Sequence, residues 1–183
     1  MLDDERLISE LHHGNKEALR EIYLKYKDNL LTIATALLHD STTAEDILHD
    51  VFITLAKVAK RLELRVNLKN YLIASIANRI KDIYRKKSHN MVGLENAGQI
   101  TSTTVNPEQA AIFGEDVKYL FDALYHLPFE QREVIVLHLK GGLKFREIAI
   151  ILNTSTSTIQ GRYRYGIAKL KTELDGEDQN GSR

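Results

Sequence analysis

Residues 145 to 171 constrain this chain more than any other stretch: Phe145-Arg-Glu-Ile-Ala-Ile-Ile-Leu152, then Asn153-Thr154, then Ser155 through Lys171. Their apolar spacing reads as two short helices joined by a tight turn, a helix-turn-helix. Ile148, Ala149 and Leu152 fall on one face of the first helix, while Ile159, Tyr163, Ile167 and Leu170 recur at helical spacing along the second. Ala149 is small enough to let the two helices cross closely. Asn153 follows the last periodic residue, where Asn tolerates the left-handed conformation that ends helices, and Ser155 or Ser157 can accept the hydrogen bonds of the next helix start. With the inward stripe so placed, steps of about 100° per residue put Ser157, Thr158, Gly161, Arg162 and Tyr165 on the outward face.

Charge says what that face meets. Between Leu143 and Lys171 stand Lys144, Arg146, Arg162, Arg164, Lys169 and Lys171 against the single acid Glu147. A polar face opposite an apolar stripe is ordinarily just solvated, but a basic one on a helix-turn-helix implies phosphate contact. The net charge of the whole chain is zero, which alone would argue against a nucleic-acid partner. The distribution reverses that inference. The first fifty residues are mostly acidic, and Lys69 to Lys87 is basic through Lys69, Arg79, Lys81, Arg85, Lys86 and Lys87 against Asp82. The next forty turn acidic again before the basic helix-turn-helix.

With 183 residues, 43% of them hydrophobic, the chain can bury one or two packed cores. There is no cysteine, which excludes a disulfide framework, thiolate metal sites and a cysteine nucleophile, and suits a reducing compartment. Met-Leu-Asp-Asp-Glu at the start is acidic where a signal peptide would be basic and then apolar, and no apolar run approaches the length that spans a bilayer. The sequence therefore reads as soluble and cytoplasmic.

Periodic apolar patterns rich in helix formers predict an all-α chain of two small helical domains. Between them, Ser88 to about Gly114 carries Gly93, Asn96, Gly98, the run Thr101-Ser102-Thr103-Thr104 and Asn106-Pro107 with no steady period, and reads as a flexible linker. Pro128 fits the first turn of a helix through Val134 to Leu139, which Gly141-Gly142 stops. The expected division is 1–88, a linker at 89–114, 115–174, and a frayed polar tail at 175–183.

In the N-terminal half, a helix capped by Thr43 and running from Ala44 to about Ala59 would bury Ile47, Leu48, Val51, Phe52, Leu55 and Val58. Asp46, Asp50 and Lys57 lie opposite, with Ile53 among them. An apolar anchor rimmed by charges is how helical docking surfaces are often built, although a lone exposed isoleucine is common. The same helix offers an enzymatic alternative, since His39-Asp40, Glu45, Asp46 and His49-Asp50 hint at a metal-dependent phosphohydrolase. Glu45 and His49 are one turn apart, but a site needs a third ligand, and the remaining histidines have no ligand-like company. No metal or other cofactor is expected.

A further helix from Leu68 to Lys87 would bury Leu68, Leu72, Ile76, Ile80 and Ile83, with Asn78, Asp82 and Arg85 sharing another face on which Asp82 and Arg85 can pair. Arg61-Leu-Glu-Leu-Arg-Val-Asn67 is a basic approach to it, and Tyr71 adds an aromatic. Basic residues beside an aromatic suit unstacked single-stranded bases.

Three sets of strings resemble a known family: Ala44-Glu-Asp-Ile-Leu-His-Asp-Val-Phe52; Asn70-Tyr-Leu-Ile-Ala-Ser-Ile-Ala-Asn78 with Asp82 and Arg85; and Leu127-Pro-Phe-Glu-Gln-Arg132 followed by Glu147-Ile-Ala and Thr158-Ile-Gln-Gly-Arg162. In this order, from Asp3 to about Leu174, they look like the extracytoplasmic-function group of bacterial sigma factors. The resemblance implies region two, which holds core RNA polymerase and melts the promoter, and region four, which reads the upstream element. It implies polymerase binding through Asp46, His49, Asp50 and Ile53, with Phe52 read as core. It gives the opened minus-ten element to Arg61, Arg65, Asn67, Asn70, Tyr71, Asn78, Arg79, Arg85 and Lys86. It gives the duplex minus-thirty-five element to Arg146, Ser157, Thr158, Gln160, Gly161, Arg162, Arg164 and Tyr165. An anti-sigma protein is a further partner the resemblance allows.

The chain departs from the family pattern at several points. His49 stands where Gln is usual, Tyr71 where Trp is common, Asn153 where Gly ends the helix, and Gln160, Tyr165 and Gly166 where Lys, Arg and Ala are frequent. The expected function is a non-enzymatic sigma factor; the alternative is a stand-alone helix-turn-helix regulator whose N-terminal domain senses or dimerises. The acidic docking helix and the basic, aromatic-bearing one separate the two, because a plain repressor needs neither.

Overall fold

The computed structural model describes residues 2–62, 67–91 and 115–178, and every described element is helical. The helices are α1 (Leu2–His12), α2 (Lys16–Leu38), α3 (Ser41–Val58) with a 3-10 turn at Ala59–Arg61, and α4 (Leu68–Met91). After them come α5 (Glu115–Tyr125), α6 (Phe129–Leu139), α7 (Phe145–Ile151) and α8 (Thr156–Asp178). The chain forms two compact units, one of Met1–Ala34 with Thr42–Ala97 and the other of Thr35–Ser41 with Gly98–Arg183. The linker expected at 89–114 lies almost wholly outside the described residues.

In the first unit, α3 buries Ile47, Leu48, Val51, Phe52 and Leu55, and α4 buries Leu68, Leu72, Ile76 and Ile80 together with Ile73 and Ala77. Two expectations need correcting. The helix begins at Ser41, ahead of Thr43. Val58 is 37% exposed while Ala59 is buried, although the helical period puts both at the edges of the same apolar face. α4 starts on Asn67, whose side-chain oxygen accepts the Asn70 N–H at 2.8 Å, the bond an N-cap makes.

Polar side chains fasten α1 to α2. Lys25 reaches Asp3 and Asp4 at 2.6 and 2.7 Å, Tyr26 donates its hydroxyl to Asp4, and Arg6 bridges Asp3, Glu10 and Glu21. The Lys25 and Arg6 bonds hold the Asp3 carboxyl below its ordinary value. Burial, then the bond to Asp4, pushes Tyr26 up to about 12. The sign follows from linkage. A raised phenol contributes stability below its unfolded value of about 10, lost as pH climbs towards 12; the depressed carboxyl contributes above about 4, lost on acidification. The wild-type chain should therefore lose stability relative to Tyr26→Phe between pH 10 and 12. Denaturant midpoints of both chains across that range check it, and parallel pH profiles would show that the phenol is not held as described.

In the second unit, α8 packs on α5, α6 and α7. α6 is buried nearly all round, from Arg132 to Leu137. Arg132 donates to the Tyr125 carbonyl at 2.9 Å with its guanidinium over the Tyr125 ring, so one side chain closes the C-terminus of α5. Gly141 sits against the Leu137 carbonyl, where a Cβ would be 2.4 Å from the oxygen, and Gly142 takes φ +71°. Both glycines are therefore required for the sharp exit from α6. α8 continues to Asp178, so the tail expected to fray from 175 is helical for its first residues.

A capped basic helix and an acidic helix beside an apolar groove

The turn between α7 and α8 is built by its own side chains. Glu147, the lone acid of the basic stretch, accepts the Lys144 N–H at 2.7 Å and caps α7. Asn153 adopts φ +51°, and the Thr154 N–H returns to the Ala149 carbonyl at 3.0 Å. Ser155, rather than Ser157, caps α8: its hydroxyl accepts the Thr158 N–H at 3.0 Å and contacts the hydroxyls of Ser157 and Thr158. Beneath the turn, the Leu143 carbonyl accepts a hydrogen bond from His138 Nδ1–H, 2.7 Å away. The His138 ring stacks among Phe145 and Tyr163, joining α6, α7 and α8 in one aromatic cluster.

α8 turns Ile159, Gly166 and Leu170 inward, with Tyr163 half-buried. Ser157, Thr158, Gln160, Arg164 and Tyr165 are exposed, Gly161 and Arg162 half-buried, and Arg146 of α7 exposed. Among the described residues Arg146 and Arg162 form no ion pair, leaving both charges available to phosphate. Arg164 instead lies over the Tyr165 ring, 5.0 Å from its centroid, while Tyr165 is 61% exposed. Gly166, which stands where the resembled family often has Ala, faces the interior. A Cβ there would lie 2.8 Å from Ile135 Cδ1 and 3.0 Å from Gln131 Cβ, so its smallness serves the contact of α8 with α6. Gly161 has no such neighbour; a Cβ would meet nothing within 4 Å. A helix-interior glycine costs about 1 kcal/mol relative to alanine, and no contact among the described residues offsets that cost at Gly161.

In the first unit, Asp46, His49 and Asp50 are exposed on α3, and Ile53 is 51% exposed. Beside Ile53 runs a mostly apolar groove formed by Leu19 and Tyr23 of α2 with His49, Phe52 and Ile53 of α3, and with the basic Lys16 and Arg20. Phe52 is buried against Tyr23, ring centroids 5.0 Å apart and nearly perpendicular, so it forms the groove's floor, as expected of a core residue.

On α4, Asn78, Arg79, Arg85 and Lys86 are exposed. Arg85 pairs with Asp82 at 3.1 Å, as the spacing predicts. Arg79 reaches across to the Thr54 hydroxyl of α3 at 3.2 Å. Asn70 is only 9% exposed and Tyr71 half-buried, which turns most of Asn70 away from any strand on the surface. Arg61 and Asn67 are exposed, Asn67 also serving as the cap of α4. Arg65 lies outside the described residues. His12, which showed no ligand-like company in the sequence, sits with Nε2 2.9 Å from the Leu62 carbonyl and so holds the chain at the end of the 3-10 turn. No local pattern could have shown that contact across fifty residues. Among the described residues no three His, Asp or Glu side chains converge as a metal site requires, and no helix is long and apolar enough to cross a membrane.

The family model for sigma-70 region 2 matches residues 22–90, and that for sigma-70 region 4 matches residues 118–170; together they span two thirds of the chain. The chain is 27% identical over 176 residues to the ECF RNA polymerase sigma factor SigW of Bacillus subtilis, covering 91% of this chain and 94% of that protein. It is 26% identical over 167 residues to the RNA polymerase sigma factor CarQ of Myxococcus xanthus, covering 90% and 92%. Its fold is similar to that of CnrH, solved with the cytosolic domain of CnrY, at a TM-score of 0.71 and 21% identity over 95% of this chain and 98% of that one. It is likewise similar to that of RpoE of Bartonella quintana, solved with the anti-sigma factor NepR, at 0.70 and 24% over 85% and 96%.

Proposed function

Since this chain belongs to the extracytoplasmic-function group of RNA polymerase sigma factors, we propose that α3 is its polymerase-docking helix, α4 its reader of the opened minus-ten element and α8 its reader of the minus-thirty-five duplex. A sigma factor binds core RNA polymerase and promoter DNA and directs promoter-specific initiation; it is an initiation factor rather than an enzyme. The observation that carries the assignment is the exposed strip of α3, with Ile53 among Asp46, His49 and Asp50 beside the α2–α3 groove. A regulator that only binds duplex DNA needs no such surface. Region two then spans about 1–88 and region four about 115–174. The cytoplasm is the compartment in which core polymerase would be met. We also propose an anti-sigma partner, supported by the fold shared with RpoE of Bartonella quintana, which was solved with one.

Co-purification with core polymerase followed by promoter-dependent transcription tests the whole reading; a chain that neither binds core nor redirects it would refute it. Within it, Asn78→Ala and Arg79→Ala should impair open-complex formation more than binding to closed duplex, because both side chains are exposed on the basic face of α4. Arg79 also bonds Thr54, so Thr54→Ala serves as control and should leave melting at the wild-type level. Permanganate footprinting reads the opened bases. Unchanged melting in both α4 variants would remove this face from the minus-ten assignment.

A further inference from the structure

We infer that Gly161 is the point at which the backbone of α8 itself touches promoter duplex, and that it thereby sets how deeply the helix enters the groove; this rests on the reading of α8 as the minus-thirty-five reader. The two glycines within the turns of α8 that carry this face serve opposite ends. Gly166 is small because α6 presses on it, Ile135 and Gln131 standing where a Cβ would go. Around Gly161 a Cβ would find open space among the described residues, so no contact among them calls for a residue that weakens a helix relative to alanine.

Its neighbours show what does. Thr158 and Ser157 stand about one turn before Gly161 on the exposed face, Arg162 beside it, and Tyr165 one turn after. The Tyr165 ring is covered on one face by the Arg164 guanidinium, whose Nη2 lies 3.4 Å from the phenol oxygen, so it stands as a braced aromatic wall. The face thus carries a notch floored by bare backbone and bordered by two hydroxyls, an unpaired cation and an aromatic ring. Glycine permits close approach of backbone to a ligand, and these are groups that hold sugar-phosphate and base edges. The occupant this chemistry fits is B-form duplex, with the notch in van der Waals contact.

Gly161→Ala and Gly161→Leu separate this from a neutral glycine, because both substituents favour the helix but differ in bulk. The probe is the duplex that wild-type holoenzyme recovers from a library randomised upstream of the start site. The thermal midpoint of the free chain should rise with Ala, while holoenzyme affinity for that duplex falls by about tenfold with Ala and further with Leu, as overpacking a close contact does. Wild-type affinity in both variants would overturn the inference and leave the reading of α8 intact. A thermal midpoint below wild type in the Ala variant would overturn it too, by showing that the glycine serves the fold. If the wild-type holoenzyme recovers no preferred upstream sequence, the reading of α8 fails first, and the inference with it.

Discussion

Changing Asp50 to Lys is expected to lower affinity for core RNA polymerase by about tenfold to a hundredfold, each tenfold being about 1.4 kcal/mol, while helical content stays at the wild-type level. Asp50 is exposed on α3, one turn from Asp46 and from the exposed Ile53, and among the described residues its carboxylate forms no ion pair. No contact among the described residues therefore depends on its charge. A partner that accepts an acidic strip must present cations to it, and a lysine placed among them replaces attraction with repulsion, which costs more than neutralising the carboxylate would. Asp50→Asn should accordingly fall between the wild type and the reversal. Glu5→Lys, exposed on α1, should leave binding unchanged and controls for overall charge. Pull-down of core polymerase with each variant, alongside far-ultraviolet circular dichroism, checks all three. Wild-type capture by the Asp50→Lys chain would remove α3 from the interface.

Replacing Arg162 by Ala should produce the second large effect, and its form distinguishes two roles. A guanidinium held against a base edge should cost about 1 to 3 kcal/mol on removal and relax preference at one position. One held against a phosphate should weaken every sequence alike and reduce the dependence of log affinity on log salt by about one. The structure favours the phosphate role: Arg162 is half-buried along the flank of α8, while Thr158 and Tyr165 stand more exposed on the same face. Binding of wild type and variant to a panel of singly substituted upstream elements at two salt concentrations separates the cases. If neither affinity nor preference moves, Arg162 is a solvated charge and the reading face of α8 lies elsewhere.

The features legible in the sequence are those whose physics closes within a turn or two of chain. Asn153 ends α7 with a positive φ, and one of the two serines the sequence offered, Ser155, caps α8, because both act on backbone groups two to five residues away. Asp82 and Arg85 pair because three residues bring them to one side of a helix. The buried stripe of α3 and the strip of Asp46, Asp50 and Ile53 opposite it follow from the helical period alone. At the end of α3 the period allows both Val58 and Ala59 on the apolar face, and packing alone buries Ala59 and leaves Val58 37% exposed.

The sequence by itself determined two helical domains, a capped helix-turn-helix and its charged outward face, because each rests on spacing and local hydrogen bonds. Only the tertiary structure decided what could not be inferred from neighbours in the chain. The helical period puts Gly161 outward but gives no reason for Gly166 to be small, and the approach of Ile135 and Gln131 from α6 alone makes Gly166 a packing residue. Asn70 carries the same amide as Asn78, yet one is buried and the other exposed. His12 holds the Leu62 carbonyl, Arg132 closes α5, and Lys25 with Tyr26 fastens α1, each across a separation no local pattern spans. The reason is common to all of them: burial and partner choice depend on which surfaces meet after collapse, and that is a property of the packed units rather than of any one helix.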